Sequence, residues 1–172
     1  MSFLEDNYAP AVAKVAESLD WEAVEESVRD LKAIRAAGGR VFVLGLGGSA
    51  GNASHMVNDL RKLAGIEAYA PTDNVSELTA RINDDGWGNA FVGWLKLSRL
   101  SERDAVFILS VGGGDFERGV STELVAAIDY ARVQGTKVLG IVGRDGGHAH
   151  QHGDVVIVPT VDNNLVTPLS EA

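Results

Sequence analysis

The chain has 172 residues, 45% of them hydrophobic, with no cysteine and a formal net charge of -9. That size suits one globular domain with a substantial core, and the missing thiols leave out a disulfide framework and any thiolate metal site. The acidity, without a Lys/Arg cluster to offset it, argues against nucleic acid or an anionic membrane as partner, and no apolar run is long enough to cross a bilayer; no basic-then-apolar leader opens the sequence, so a cytoplasmic protein is expected.

Val12, Val15, Ala16 and Leu19, then Ala23, Val24, Val28, Leu31 and Ile34, recur at three- and four-residue spacing. This predicts helices broken near Asp20 and ended by Gly38 and Gly39. "RVFVLG" follows as a continuous apolar run of strand length, the pattern of a strand buried on both faces. Ser49 is placed to cap a helix whose stripe is Ala53, Met56, Val57, Leu60 and Ala64, stopped by Gly65. "IEAYAP" predicts a short second strand, and one or two helices lie between Val75 and Leu100 around "NDDGWGN". "AVFILSV", a third strand, runs into Gly112, Gly113 and Gly114. A helix over about Ser121 to Gln134 leads to strands "KVLGIVG" and "VVIVP", which are separated by "RDGGHAHQHGD". Strands alternating with helices predict an α/β domain, a parallel sheet covered on both faces and joined by right-handed crossovers.

Two glycine-rich turns, "GLGGSAGN" and "SVGGGD", follow strands one and three. In the doubly wound order 2-1-3-4-5 those strands are neighbours and the winding reverses between them, so the turns are expected to flank one crevice. Glycine lets backbone approach a ligand closely, and the N–H groups of a following helix favour an anion. Gly113 is read as a surface loop residue, whose replacement by a bulky side chain costs binding and spares the fold. Gly45 to Ala50 also fits the dinucleotide pattern G-x-G-x-x-A, but Glu67 starts the second strand and Asp73 lies beyond it, so neither acid sits where a ribose would need it.

"GLGGSAGNASHMVNDL", "SELTARINDDGWGNAF", "FILSVGGG" and "KVLGIVGRDGG" resemble, in order and spacing, the sugar isomerase (SIS) domain family and, within it, the phosphoheptose isomerases. The resemblance implies a three-layer αβα domain over residues 40–172 with a flavodoxin-like five-stranded sheet. It also implies a helical segment over 1–39 that packs on the domain and on neighbouring subunits of a homotetramer. It implies conversion of sedoheptulose 7-phosphate to a heptose 7-phosphate with no required cofactor. Gly47, Gly48 and Ser49 match the family's first turn, Asn83 and Asp84 its Asn-Asp pair, and Ser110 opens its phosphate loop. His55 matches a position that joins a zinc site in some members, and Asp59 stands where the family has a catalytic Glu. Leu46 replaces a substrate-contacting Asn, and the glycines 112 to 114 replace hydroxyl-bearing residues, so backbone N–H groups are expected to bind the phosphate. The family's C-terminal helix is expected to be missing: "VTPLSEA" gives only its start, with Thr167 as N-cap and Pro168 at the first helical position.

Isomerising a ketose and an aldose needs a base to move a proton between neighbouring carbons and an acid for the oxygen. Asn52, His55 and Asp59, at i, i+3 and i+7, share a helix stripe apart from the apolar one. Asp59 and His55 are therefore the candidate acid/base pair, and as an i, i+4 pair also the candidate zinc ligands. His148, His150 and His152 of "HAHQH" read as a polar surface helix with no carboxylate in ligand register. Two other functions remain open from sequence: a sugar-phosphate-binding SIS module without catalysis, and a nucleotide-dependent oxidoreductase.

Overall fold

A computed structural model describes residues 2–171. Five strands form one sheet in the order β2-β1-β3-β4-β5: β1 (Arg40–Leu44), β2 (Glu67–Tyr69), β3 (Ala105–Ser110), β4 (Lys137–Val142) and β5 (Asp154–Ile157). Every pairing is parallel. This is the three-layer α/β arrangement and strand order that the sequence predicts.

The alternation of side chains along a strand divides the core in two. Phe42 and Leu44 of β1, with Val106 and Ile108 of β3, pack on one face against Phe91 and Leu95 of α5 (Ala90–Leu97) and Leu124 and Ile128 of α6 (Thr122–Val133). Val41, Val43, Ala105 and Phe107 face the other side, against Ile34 of α2 (Trp21–Ala36) and Ala53, Val57 and Leu60 of α3 (Gly48–Lys62). Because each strand is covered twice, its residues are apolar at consecutive positions, which is why "RVFVLG" shows no polar alternation. α4 (Val75–Asp85) adds Leu78 and Ile82 to the first face, and α7 (Gly147–His152) adds Ala149.

α1 (Ala9–Ser18) ends at its C-cap Leu19, and Asp20 caps α2, accepting a 3.1 Å hydrogen bond from the Ala23 amide. α2 is tied to the sheet by Ile34 and by a 2.7 Å contact of Lys137 Nζ with Asp30. α1 buries none of its side chains, and Val12 and Val28 remain 41% and 42% exposed.

Two local readings are corrected. Ser49 does not cap α3; Gly47 does, at φ 59°, and Ser49 lies inside the first turn with its side chain committed elsewhere. The C-terminal residues form α8 (Val166–Ser170), whose N-cap is Leu165 rather than Thr167. A single helical turn cannot sustain itself, but here Leu165, Val166 and Leu169 are buried and tertiary contact supplies the stability.

The register of β1 beside β3 is held at one end by a polar hub. Asp104, 3% exposed, accepts from the Arg40 amide at 2.9 Å, from its guanidinium at 3.1 and 2.8 Å, and from the amide and hydroxyl of Ser101, both at 2.9 Å. Burial opposes ionisation of this carboxyl, yet the hydrogen bonds from Arg40 and Ser101 together outweigh it and hold its pKa below the ordinary carboxylate value. Asp104→Ala leaves Arg40 without its partner and should cost about 3 kcal/mol in urea unfolding. A depressed carboxylate stabilises the fold fully above its unfolded pKa of about 4, and that contribution is lost as pH falls through the lower native value. The wild-type advantage over Asp104→Ala should therefore be constant near neutrality and shrink only in acid; a difference independent of pH down to acid unfolding would contradict the assignment.

Candidate active site at the strand ends

A parallel sheet brings the ends of β1, β3, β4 and β5 to one edge, and both glycine turns lie there. At the first turn Ser49, 5% exposed, donates to Glu171 Oε1 at 2.8 Å, and Asn52 Nδ2 donates to the Glu171 carbonyl at 3.1 Å. A Cβ placed on Gly48 would stand 2.4 Å from Glu171 Oε2. A carboxylate from the segment just past α8 thus rests on the turn at the N-terminus of α3, where the helix dipole and free N–H groups favour negative charge.

The second turn works differently. Ser110 Oγ accepts from the amides of Gly113 at 3.0 Å and Gly112 at 3.4 Å, so those N–H groups converge on one oxygen. The carbonyls of Gly114 and Gly113 point the other way and accept from His148 N at 2.9 Å and Ala149 N at 3.0 Å, satisfying two amides of α7. Gly113 has φ +69°, and a Cβ there would lie 1.8 Å from the Gly146 carbonyl oxygen. This glycine is a packing requirement between two backbones and not a free surface position, which corrects the expectation that a bulky residue would spare the fold.

After Gly114 the chain makes a short excursion closed by an antiparallel bridge between Asp115 and Val120. A cleft of about 1010 Å³ opens beside it, lined among others by Gly112, Gly114, Arg118, Arg144 and His148. Arg144 was not singled out from sequence. It follows β4 at φ 54°, an unfavourable conformation for a residue with a side chain, and its guanidinium approaches within 3.9 Å of a Cβ built on Gly112. The signal was available in "VGRDGG", a cation directly after a strand and beside glycines.

The crevice expected between β1 and β3 holds the end of α8. Val166 lines the cleft, while Glu171 covers the first turn, so Gly112 and Gly114 border the open space and Gly47, Gly48, Ser49 and Asn52 do not. Ser170 Oγ lies 2.3 Å from a Cβ built on Gly143, whose amide donates to the Ser110 carbonyl at 3.1 Å. Ser170 and Glu171 therefore span from one turn to the other.

His55 Nε2 and Asp59 Oδ2 are 3.4 Å apart on α3, with side chains 73% and 47% exposed, and Asn58 Nδ2 donates to Asp59 Oδ1 at 3.0 Å. The pair has the predicted facing geometry. As a zinc site it offers two donors, and among the described residues no third His or carboxylate joins them; three or four are needed, so these residues alone do not fit the ion. Asn83 and Asp84 are exposed on the last turn of α4, where Asn83 Nδ2 donates to Asp84 Oδ1 at 2.8 Å, and neither lines the cleft. Leu46 packs with Leu78 and Ile82 on the core, an apolar use of the position. The acids considered for a dinucleotide are engaged locally, Glu67 by the Tyr69 hydroxyl and Asp73 by Ser54. "HAHQH" forms α7 as expected, but a carboxylate does stand in register, contributed by Asp129 of α6.

The family model described as the SIS domain matches residues 6–143. A probable phosphoheptose isomerase of Thermoplasma volcanium is 30% identical over 176 residues, covering 96% of this chain and 83% of its own length. The phosphoheptose isomerase of Aliarcobacter butzleri is 30% identical over 157 residues, covering 88% and 79%. A phosphoheptose isomerase structure from Francisella tularensis superimposes on 99% of this chain and 91% of its own with a TM-score of 0.80, a likeness that at 22% identity establishes the fold.

The contrast between the glycines gives a direct prediction. Gly48→Ala meets only the movable end of Glu171, in a helix where alanine is favoured, and should change stability by less than about 1 kcal/mol. Gly113→Ala meets backbone at a positive φ and should lower the melting temperature by several degrees or more. Equal melting temperatures for the two variants would contradict this account of the second turn.

Proposed function

The chain belongs to the SIS domain family and is an isomerase acting on a sugar phosphate; on that premise we propose that it interconverts sedoheptulose 7-phosphate and a heptose 7-phosphate through an enediol, as a cytoplasmic homotetramer. The carrying observation is the pairing, on one sheet edge, of a turn that seats a carboxylate with a cleft into which Arg118 and Arg144 are set among Asp115, Glu117 and Asp145. An internal carboxylate already sits on Ser49 and Gly48, and the Gly112 and Gly113 amides converge on one oxygen near Arg144.

The phosphate binds the Gly112 to Gly114 loop, with its charge met by Arg144 and Ser110 supplying a hydroxyl. The sugar then extends toward α3, displacing Glu171 from the first turn, so that Ser49 and Asn52 bind its hydroxyls, with Asn83 and Asp84 as further contacts. Asp59 removes the proton from the carbon next to the carbonyl and returns it to the former carbonyl carbon. His55 passes the oxygen's proton, which balances the enediol. The exposure of His55 and Asp59, and of Val12 and Val28 on α1 and α2, is what a site completed between subunits requires. Among the described residues no helix is long and apolar enough to cross a membrane.

Turnover of sedoheptulose 7-phosphate, followed by NMR of the sugar carbons, tests the reading. Asp59→Asn should lower kcat by about 100-fold or more with little change in KM. Arg144→Ala removes a charge-assisted contact made throughout the cycle and should raise KM about tenfold with kcat nearly unchanged. Wild-type turnover by Asp59→Asn, or no turnover by the wild type, would overturn the assignment.

A further inference from the structure

His148 and His152 lie one turn apart on α7, their rings 4.2 Å apart centre to centre. Asp129 of α6 reaches across so that its Oδ1 is 2.8 Å from His148 Nε2. One donor atom from each of the three residues falls within 4.8 Å of the others. We propose that Asp129, His148 and His152 form a binding site for a divalent transition-metal ion of the zinc class, joining α6 to α7 behind the phosphate loop, with its remaining coordination position open to water.

Two imidazole nitrogens and one carboxylate oxygen are a donor set suited to zinc, cobalt or nickel and poorly suited to calcium or magnesium. Bonds of about 2.0–2.1 Å to a tetrahedral ion put donors about 3.3 Å apart, so a separation of up to 4.8 Å closes by a small side-chain rotation. The supports are rigid: Ala149 is fully buried, and the His148 and Ala149 amides are held by the Gly114 and Gly113 carbonyls. His148 is only 13% exposed, whereas Asp129 is 53% exposed and gives the ion its way in. Burial, the adjacent His148 and the Arg132 guanidinium lower the pKa of His152, with Asp129 opposing them, a shift in the direction that metal binding favours. Arg132 also repels the ion, so the site is a selective and not an especially tight one. His150, two residues from each of the two histidines, is exposed and belongs to no such group among the described residues, which makes it an internal control. The alternative is a metal-free hydrogen-bonded pair of His148 and Asp129.

The test is zinc binding to the metal-stripped full chain, by calorimetry in competition with a chelator, alongside the thermal shift produced by zinc. The expected result is one zinc per chain at this site, with His152→Asn and Asp129→Asn each weakening binding about tenfold or more and abolishing the zinc-dependent rise in melting temperature. His150→Asn and His55→Asn should leave that binding unchanged. All substituted residues but His152 and Asp129 lie outside the proposed ligand set, and circular dichroism of the zinc-free variants establishes that they fold. Failure of the wild type to bind zinc below millimolar concentration, or equal zinc affinity in His152→Asn and His150→Asn, would overturn the proposal without touching the isomerase reading, since turnover is not the readout.

Discussion

A parallel sheet delivers every strand end to the same edge, and placing β1 beside β3 puts the two glycine turns next to each other at the point where the winding reverses. The rest of the site depends on that adjacency. It aligns the N-terminus of α3 with the β3 loop, lets α8 bridge them through Ser170 and Glu171, and brings Arg144 from the end of β4 against Gly112. The arrangement is fixed from the opposite edge, where the Arg40 and Asp104 hub sets which residues of β1 and β3 face one another.

The two turns are built on different physical grounds. The first is covered by a side chain: Gly48 is crowded only by the flexible end of Glu171. The second is locked, since the Gly113 backbone lies directly against Gly146, and the carbonyls of Gly113 and Gly114 hold α7. With the carbonyls of Gly113 and Gly114 bonded to α7 and the amides of Gly112 and Gly113 gathered on Ser110 Oγ, α7 and the loop form one mechanical unit.

Strand order, the double burial of the strands and the glycine-stopped helix ends were legible because they follow from period and from glycine stops, as in β1, where consecutive apolar residues feed two clusters. The facing of His55 and Asp59 was legible because helical spacing alone dictates it. What could not be read came from contacts distant in sequence. Ser49 bonds a residue 122 positions away rather than its own helix, and Asp129 reaches His148 across 19 positions. α8 persists because Leu165, Val166 and Leu169 find a buried seat, a tertiary effect that its one-turn length conceals. Arg144 meets Gly112 across 32 positions, another contact that local sequence does not show.

The central claim is that the phosphate of the substrate sits on the loop after β3 and not elsewhere on the sheet edge. Titrating the nitrogen-15-labelled protein with sedoheptulose 7-phosphate and following backbone amides by NMR tests this most directly. The predicted result is saturable shifts of Gly112, Gly113, Gly114 and Arg144, together with Gly48 and Ser49 as Glu171 is displaced. Saturable shifts confined to other parts of the chain, with these six amides unmoved, would contradict it.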